Sequence, residues 1–183
     1  MADGRLALAI VVGGGLASGK TSVAKGIGTA LACPVVSFGG FIRRRARSLG
    51  LSEDRATLQA LGAHLVDSDP VGFTSSFIAE LREVQNGSAV VIEGLRHVSV
   101  CQALRDAAFA DRLLVVMVKT SYDVRMRRSV SRGDGTAEEF ALAESRAIES
   151  EHLQLEAVAD LVLDGDRPIE IVVRDLALTI GIE

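Results

Sequence analysis

The residues best suited to chemistry in this chain stand close to its start. In "VVGGGLASGKTS", residues 11–22, Gly14, Gly19, Lys20 and Thr21 fit the spacing G-x-x-x-x-G-K-[ST], with an apolar run before them and a helical pattern after. Glycines let successive backbone N–H groups turn inward around phosphate oxygens, and a helix opening at the same point adds positive potential. Gly14, Gly15, Ala17, Ser18, Gly19, Lys20, Thr21 and Ser22 are therefore the expected lining of a phosphate cradle. Lys20 is expected to reach the β- and γ-phosphates and Thr21 to place its hydroxyl on Mg²⁺, which makes ATP and Mg²⁺ the expected cofactors. The metal's other protein partner in such a site is an acid at the end of a neighbouring strand. Glu93, closing "AVVIE", holds that place. A carboxylate capping the next helix is its alternative reading.

Moving a phosphoryl group between two polyanions depends on positioning and charge neutralisation, so cations should converge from separate elements. Arg43, Arg96, Arg128, Arg132 and Arg146 lie far apart in the sequence. Three of them follow predicted strand ends, the side on which open α/β sheets bind ligands. Arg128 and Arg132 stand at i and i+4 on one helix face. The competing reading is a set of surface arginines balancing an acidic chain, and helical spacing lets at most one or two of Arg43 to Arg45 face a site.

Something must hold these side chains in place. Short apolar runs at 6–12, 34–37, 89–93, 112–119 and 159–164 read as five strands. The first, third and fourth are nearly continuous in Val, Ile, Leu and Ala, as expected of central strands buried on both faces of a parallel sheet. Segments 21–32, 41–49, 54–66, 73–84, 98–108, 121–131 and 137–157 carry apolar residues at helical spacing. Asp54, Ser121 and Thr136 are the expected N-caps, the last in a capping box with Glu139. "VDSDPVGF" (66–73) reads first as a turn. The closing "RPIEIVVRDLALTIG" reads as a helix, with Pro168 at its first position and Gly181 as its stop.

With 183 residues, 48% hydrophobic and 24% charged, the chain suits one globular domain. A net charge of -4 argues against general attraction to nucleic acid or anionic membrane, and no apolar run approaches the roughly 18–20 residues of a bilayer span. Cys33 and Cys101 have no metal-type spacing and read as reduced thiols of a cytoplasmic protein. The sequence leaves oligomeric state open.

After the second strand, "SFGGFIRRRA" sets Ser37, Gly39 and Arg43 at S-x-G-x-x-x-R. Here the chain resembles the nucleoside monophosphate kinases, the adenylate and cytidylate kinase group, in which residues so spaced bind the acceptor nucleotide. "VIEGLR" is similar to their strand-end acid and acceptor-phosphate arginine, here Glu93 and Arg96. "RRSVSR" is similar to their helix running into the lid, here Arg128 and Arg132 with Arg146 beyond. "RATLQALG", with Arg55 and Gln59, resembles the acceptor insert of deoxynucleoside monophosphate kinases.

The resemblance implies a P-loop NTPase-type three-layer α/β/α fold with sheet order 2-3-1-4-5. It implies a helical acceptor insert over 50–87 and a small lid over 131–146. The implied activity is transfer of the γ-phosphate of ATP to a nucleoside or deoxynucleoside monophosphate. Lys20, Arg96, Arg128 and Arg132 would act on the migrating charge, Arg128 also touching the donor. Ser37, Gly39, Arg43, Gln59, Arg96 and Arg146 would hold the acceptor. Two departures stand out: Gly40 replaces a common acid, and "EGLR" lacks the aromatic-proline step of D-G-[FY]-P-R. A small-metabolite kinase resembling dephospho-coenzyme A kinases, with a hydroxyl acceptor, and a non-catalytic nucleotide switch are the alternatives.

Overall fold

A computed structural model describes residues 5–84, 87–146 and 149–181, with side chains in α7 and α8 described as far as Glu144 and again from Gln154. Five parallel strands, β1 (Leu6–Gly14), β2 (Val35–Ser37), β3 (Ala89–Leu95), β4 (Ala110–Lys119) and β5 (Leu161–Asp164), form one sheet in the order β2-β3-β1-β4-β5. The expected class and strand order are thus observed. The alternation of β1 shows why two layers are needed. Ile10 and Val12 face one apolar cluster, Ala9 and Val11 the other, and all four are fully buried.

One covering layer is α1 (Lys20–Ala30) with α9 (Ile169–Ile180), which packs Val23, Ile27, Val172 and Leu176 over Ile10 and Val91. The other comprises α2 (Phe38–Ser48), α3 (Arg55–Ser68), α4 (Pro70–Val84), α5 (Val98–Asp106) and α8 (Glu149–Val158). Phe38 and Phe41 of α2 meet Phe73 and Phe77 of α4 with ring centroids 4.3–5.8 Å apart, stacked, tilted or edge-on. Such pairs add about 0.5–1.5 kcal/mol each beyond their area burial. Phe73 is therefore a core residue. Between β4 and α8 lie α6 (Tyr122–Ser131) and α7 (Ala137–Arg146), joined through Gly133 and Gly135, both at positive φ.

The caps explain where helices start. Asp54 accepts from the Thr57 N–H at 2.9 Å, and Thr136 and Glu139 exchange bonds of 2.8 and 3.2 Å, a reciprocal box. Two helices begin earlier than periodicity suggests, for the same local reason. The Ser37 hydroxyl accepts from the Gly40 N–H at 2.9 Å and starts α2 at Phe38 instead of residue 41. The Asp69 carboxylate accepts from the Gly72 N–H at 2.8 Å, so "VDSDPVGF" opens α4 at Pro70. The closing segment is a helix, with Pro168 as its N-cap and Gly181 left-handed at its end (φ 80°). The stretch expected as one helix over 137–157 comprises α7 and α8, with residues 147–148 outside those described. No helix among the described residues is long and apolar enough to cross a membrane.

Candidate active site

The site forms where β1 and β3 end. Val12 pairs with Glu93 but Gly13 pairs with Leu95, so the register slips and Gly94 (φ 94°) bulges at the strand end. β1 then runs into the glycine loop. A Cβ at Gly14 (φ 151°) would stand 2.6 Å from Ser18 Oγ and 2.8 Å from Val118 O, and Gly19 (φ 92°) is the left-handed N-cap of α1. Neither place admits a side chain without strain. Ala17 sits left-handed between them (φ 57°), which costs about 1–2 kcal/mol for a residue with a Cβ.

The loop's carbonyls are held from the protein side. Lys20 Nζ donates to Gly15 O at 3.1 Å, Arg125 Nη1 to Leu16 O at 3.4 Å, and Ser18 O accepts from Thr120 Oγ1 at 2.9 Å and Arg128 Nη1 at 3.2 Å. Gly15 O also accepts from the Ser18 N–H at 3.3 Å, and with these acceptors engaged other N–H groups of the loop can turn to an anion. The remaining polar oddity is Ser18 Oγ, buried and without a hydrogen-bond partner.

Lys20 carries the electrostatic signature of the site. Burial is the largest cause pushing its pKa down from 10.5 to about 8. The Arg96 charge comes next and outweighs the opposing pull of Glu93, while Arg132 and Arg125 push the same way as Arg96. Cations from the β3 end and from α6 thus converge on this lysine in a chain that is acidic overall. Beside it, Thr21 Oγ1 donates to Glu93 Oε1 at 3.1 Å. A hydroxyl and a carboxylate side by side are the hard oxygen donors that Mg²⁺ takes. The bare loop has the shape and the donors for a polyphosphate, so the residues present fit both expected cofactors.

The other expected residues fall into distinct places. Ser37 pairs in register with Glu93, and Gly39 is exposed with open space where a Cβ would stand. Arg43 is directed to Glu53 at 3.6 Å, Arg47 to the same acid at 2.8 Å, and Arg44 pairs with Glu80. Arg96 is exposed directly after β3. Arg128 bridges Ser18 O and Gly165 O (3.2 and 2.9 Å), tying the loop to the turn after β5. Arg132 ends α6 and pairs with Asp134 at 3.0 Å. Gln59 is exposed on α3, and the side chain of Arg146 lies outside the described residues.

Three residues escaped the sequence reading: Thr120, Arg125 and Glu144. Thr120 directly follows β4 on the ligand side of the sheet, and Arg125 precedes Arg128 by three residues on the same helix face, so both were findable by position. Nothing local marks Glu144. A cavity of about 130 Å³, lined in part by Gly15, Thr120, Arg125 and Glu144, lies against the loop. The larger open groove, about 580 Å³, lies at the far end of the sheet between α1 and β2, among Lys25, Thr29, Cys33 and Pro34.

An all-parallel sheet in this order, with a glycine loop between its central strand and a helix opening on Lys20-Thr21, is the expected three-layer P-loop NTPase-type fold. Solved structures of that fold follow the chain along nearly its whole length. They include TT1252 from Thermus thermophilus, 23% identical with a TM-score of 0.61 over 97% of this chain and 98% of that one. The shikimate kinase of Acinetobacter baumannii in complex with shikimate is 13% identical, with a TM-score of 0.66 over 97% and 95%. A gluconokinase from Sinorhizobium meliloti 1021 is 21% identical, with a TM-score of 0.59 over 93% and 90%. No protein-family model and no curated protein matches the sequence.

Proposed function

We propose that the chain is an ATP-dependent phosphotransferase whose acceptor is a small anionic molecule, with a nucleoside or deoxynucleoside monophosphate as the leading candidate. The observation that carries this reading is the convergence of Arg96, Arg125 and Arg132 on Lys20, beside the Thr21–Glu93 pair, at the open end of the sheet. In this reading Lys20 draws the donor's phosphates into the loop, and Arg96, exposed directly after β3, is available to an acceptor anion. Arg128 and Thr120 hold Ser18 O away from the donor. Thr21 and Glu93 would hold Mg²⁺, whose charge offsets that of the phosphates when bound. A monophosphate acceptor presents an oxygen that is already anionic at neutral pH, so no general base is required.

A second reading, transfer to a hydroxyl of a small metabolite, is favoured by a specific observation: Arg43 is engaged by Glu53, leaving Arg96 as the acceptor-side arginine beside the cradle. The names shikimate kinase and gluconokinase among the similar structures point the same way. A coupled assay of ADP release, run over nucleoside and deoxynucleoside monophosphates and over hydroxy acids including shikimate and gluconate, separates the two. Stimulation by a monophosphate alone supports the leading reading, and stimulation by a hydroxy acid alone supports the second. Tight ATP binding with ADP release indifferent to every acceptor would overturn both in favour of a nucleotide switch.

A further inference from the structure

Arg125 is a charged side chain held almost out of solvent. Its side chain is 14% exposed and that of its partner Glu144 is 16% exposed. Nε donates to Thr120 O at 3.1 Å, while Nη1 donates to Leu16 O at 3.4 Å and meets Glu144 Oε2. The guanidinium also lies against Gly15, where a Cβ would approach Nη1 to 3.1 Å, and its carbon is 5.9 Å from the centroid of the Phe140 ring. One cation therefore touches the glycine loop, the β4–α6 junction and α7.

A guanidinium this deeply buried needs a counter-charge, because an uncompensated one is strongly destabilising. Glu144 supplies it. The guanidinium is also a rigid plane, so an acid held at Nη1 fixes the direction of that nitrogen's second N–H and of the Nε–H. One of those donors holds Leu16 O, a carbonyl that must point away from the cradle if the neighbouring amides are to face an anion. We propose that Glu144 is a positioning residue for the phosphate cradle and acts through Arg125. The order of the loop, and with it the affinity for the nucleotide's phosphates, depends on an acid of α7 that belongs to no phosphate-binding motif. This inference rests on the cradle binding a nucleotide, as read above.

Glu144→Gln keeps the size and an acceptor oxygen and removes the charge. Glu156→Gln is the matched control: Glu156 lines the same cavity but pairs with Lys119 at 2.7 Å. Hydrogen exchange of nucleotide-free protein and calorimetric titration with ADP and Mg²⁺ give independent readouts. Glu144→Gln should speed exchange in residues 13–21 as well as 137–144 and weaken ADP binding by about 5- to 30-fold. Arg125→Met should weaken binding as much alone as in combination with Glu144→Gln, since the acid acts only through the guanidinium. Arg125→Lys, which keeps the charge but lacks the fork, replaces it should the methionine variant not fold. Glu156→Gln should bind ADP within twofold of wild type. Faster exchange confined to 137–144 with unchanged ADP affinity, or additive losses in the double variant, would overturn the proposal. If wild-type protein binds no ADP, the nucleotide reading fails, and the exchange pattern alone decides whether Glu144 orders the loop.

Discussion

Replacing Lys20 with methionine is expected to raise the melting temperature of the nucleotide-free protein. In the unfolded chain the ammonium titrates near 10.5; in the folded one, burial and then Arg96 bring it to about 8. The difference corresponds to about 3 kcal/mol opposing the folded state at neutral pH, where the group is charged in both states. Methionine relieves this term and loses the bond from Nζ to Gly15 O, worth about 1 kcal/mol. The net gain of about 2 kcal/mol should raise the Tm by about 4–8 °C for a chain of this length. The pH dependence has a definite sign. Between pH 8 and 10.5 the unfolded chain binds more protons at this position than the folded one, so wild-type stability rises with pH across that window. The variant lacks this rise, and its advantage is complete below pH 8 and vanishes towards pH 10.5. Melting curves of both proteins from pH 6.5 to 10, without nucleotide and then with excess ADP and Mg²⁺, test each part. The ligand should stabilise wild type alone. A variant melting below wild type at pH 7, with a gap that ignores pH, would refute the account of Lys20 as a charge held at the expense of stability.

Other perturbations have equally definite outcomes. Glu93→Gln, which leaves Thr21 without its carboxylate acceptor at 3.1 Å, should slow Mg²⁺-dependent phosphoryl transfer about 100-fold while Mg²⁺-free nucleotide binding stays within twofold, as steady-state kinetics and calorimetry will show. Gly19→Ala forces a Cβ into the left-handed N-cap (φ 92°) and should lower stability by about 1–2 kcal/mol in urea unfolding, with nucleotide affinity falling too. Phe77→Ala, at a residue 2% exposed between Phe38 and Phe41, should lower stability by about 3–5 kcal/mol in guanidinium unfolding.

How much of this was legible from residues alone depends on the range of the interaction. The glycine loop between β1 and α1 was, because Gly14, Gly19, Lys20 and Thr21 lie close together in the chain and their spacing is the geometry. The five strands were, because β1, β3 and β4 are apolar on both faces. The starts of α2 and α4 were not, because Ser37 and Asp69 begin a helix ahead of its apolar periodicity and across the glycines that ordinarily argue against one. Arg43 was read for its spacing, but whether such an arginine faces a site or a neighbouring acid is decided by Glu53, outside the motif. Arg125 stands three residues before Arg128 on the same helix face, but its bond to Leu16 O belongs to the folded loop and no local motif announces it. Glu144 meets the loop through that arginine, which no spacing of its own announces.

The strand order also bears on how the chain comes into being. β1, which leads into the glycine loop, pairs on one side with a strand beginning at Ala89 and on the other with one beginning at Ala110. A nascent chain emerging from the ribosome must therefore carry Leu6–Val12, a continuous apolar run, without either sheet partner until the strand that starts at Ala89 has been made. A nucleotide cannot rescue that interval. Thr120, Arg125 and Arg128, which hold the loop carbonyls, are synthesised later still. If the loop binds a nucleotide as proposed, protection by that ligand would begin only once β4 has paired with β1 and α6 has followed it.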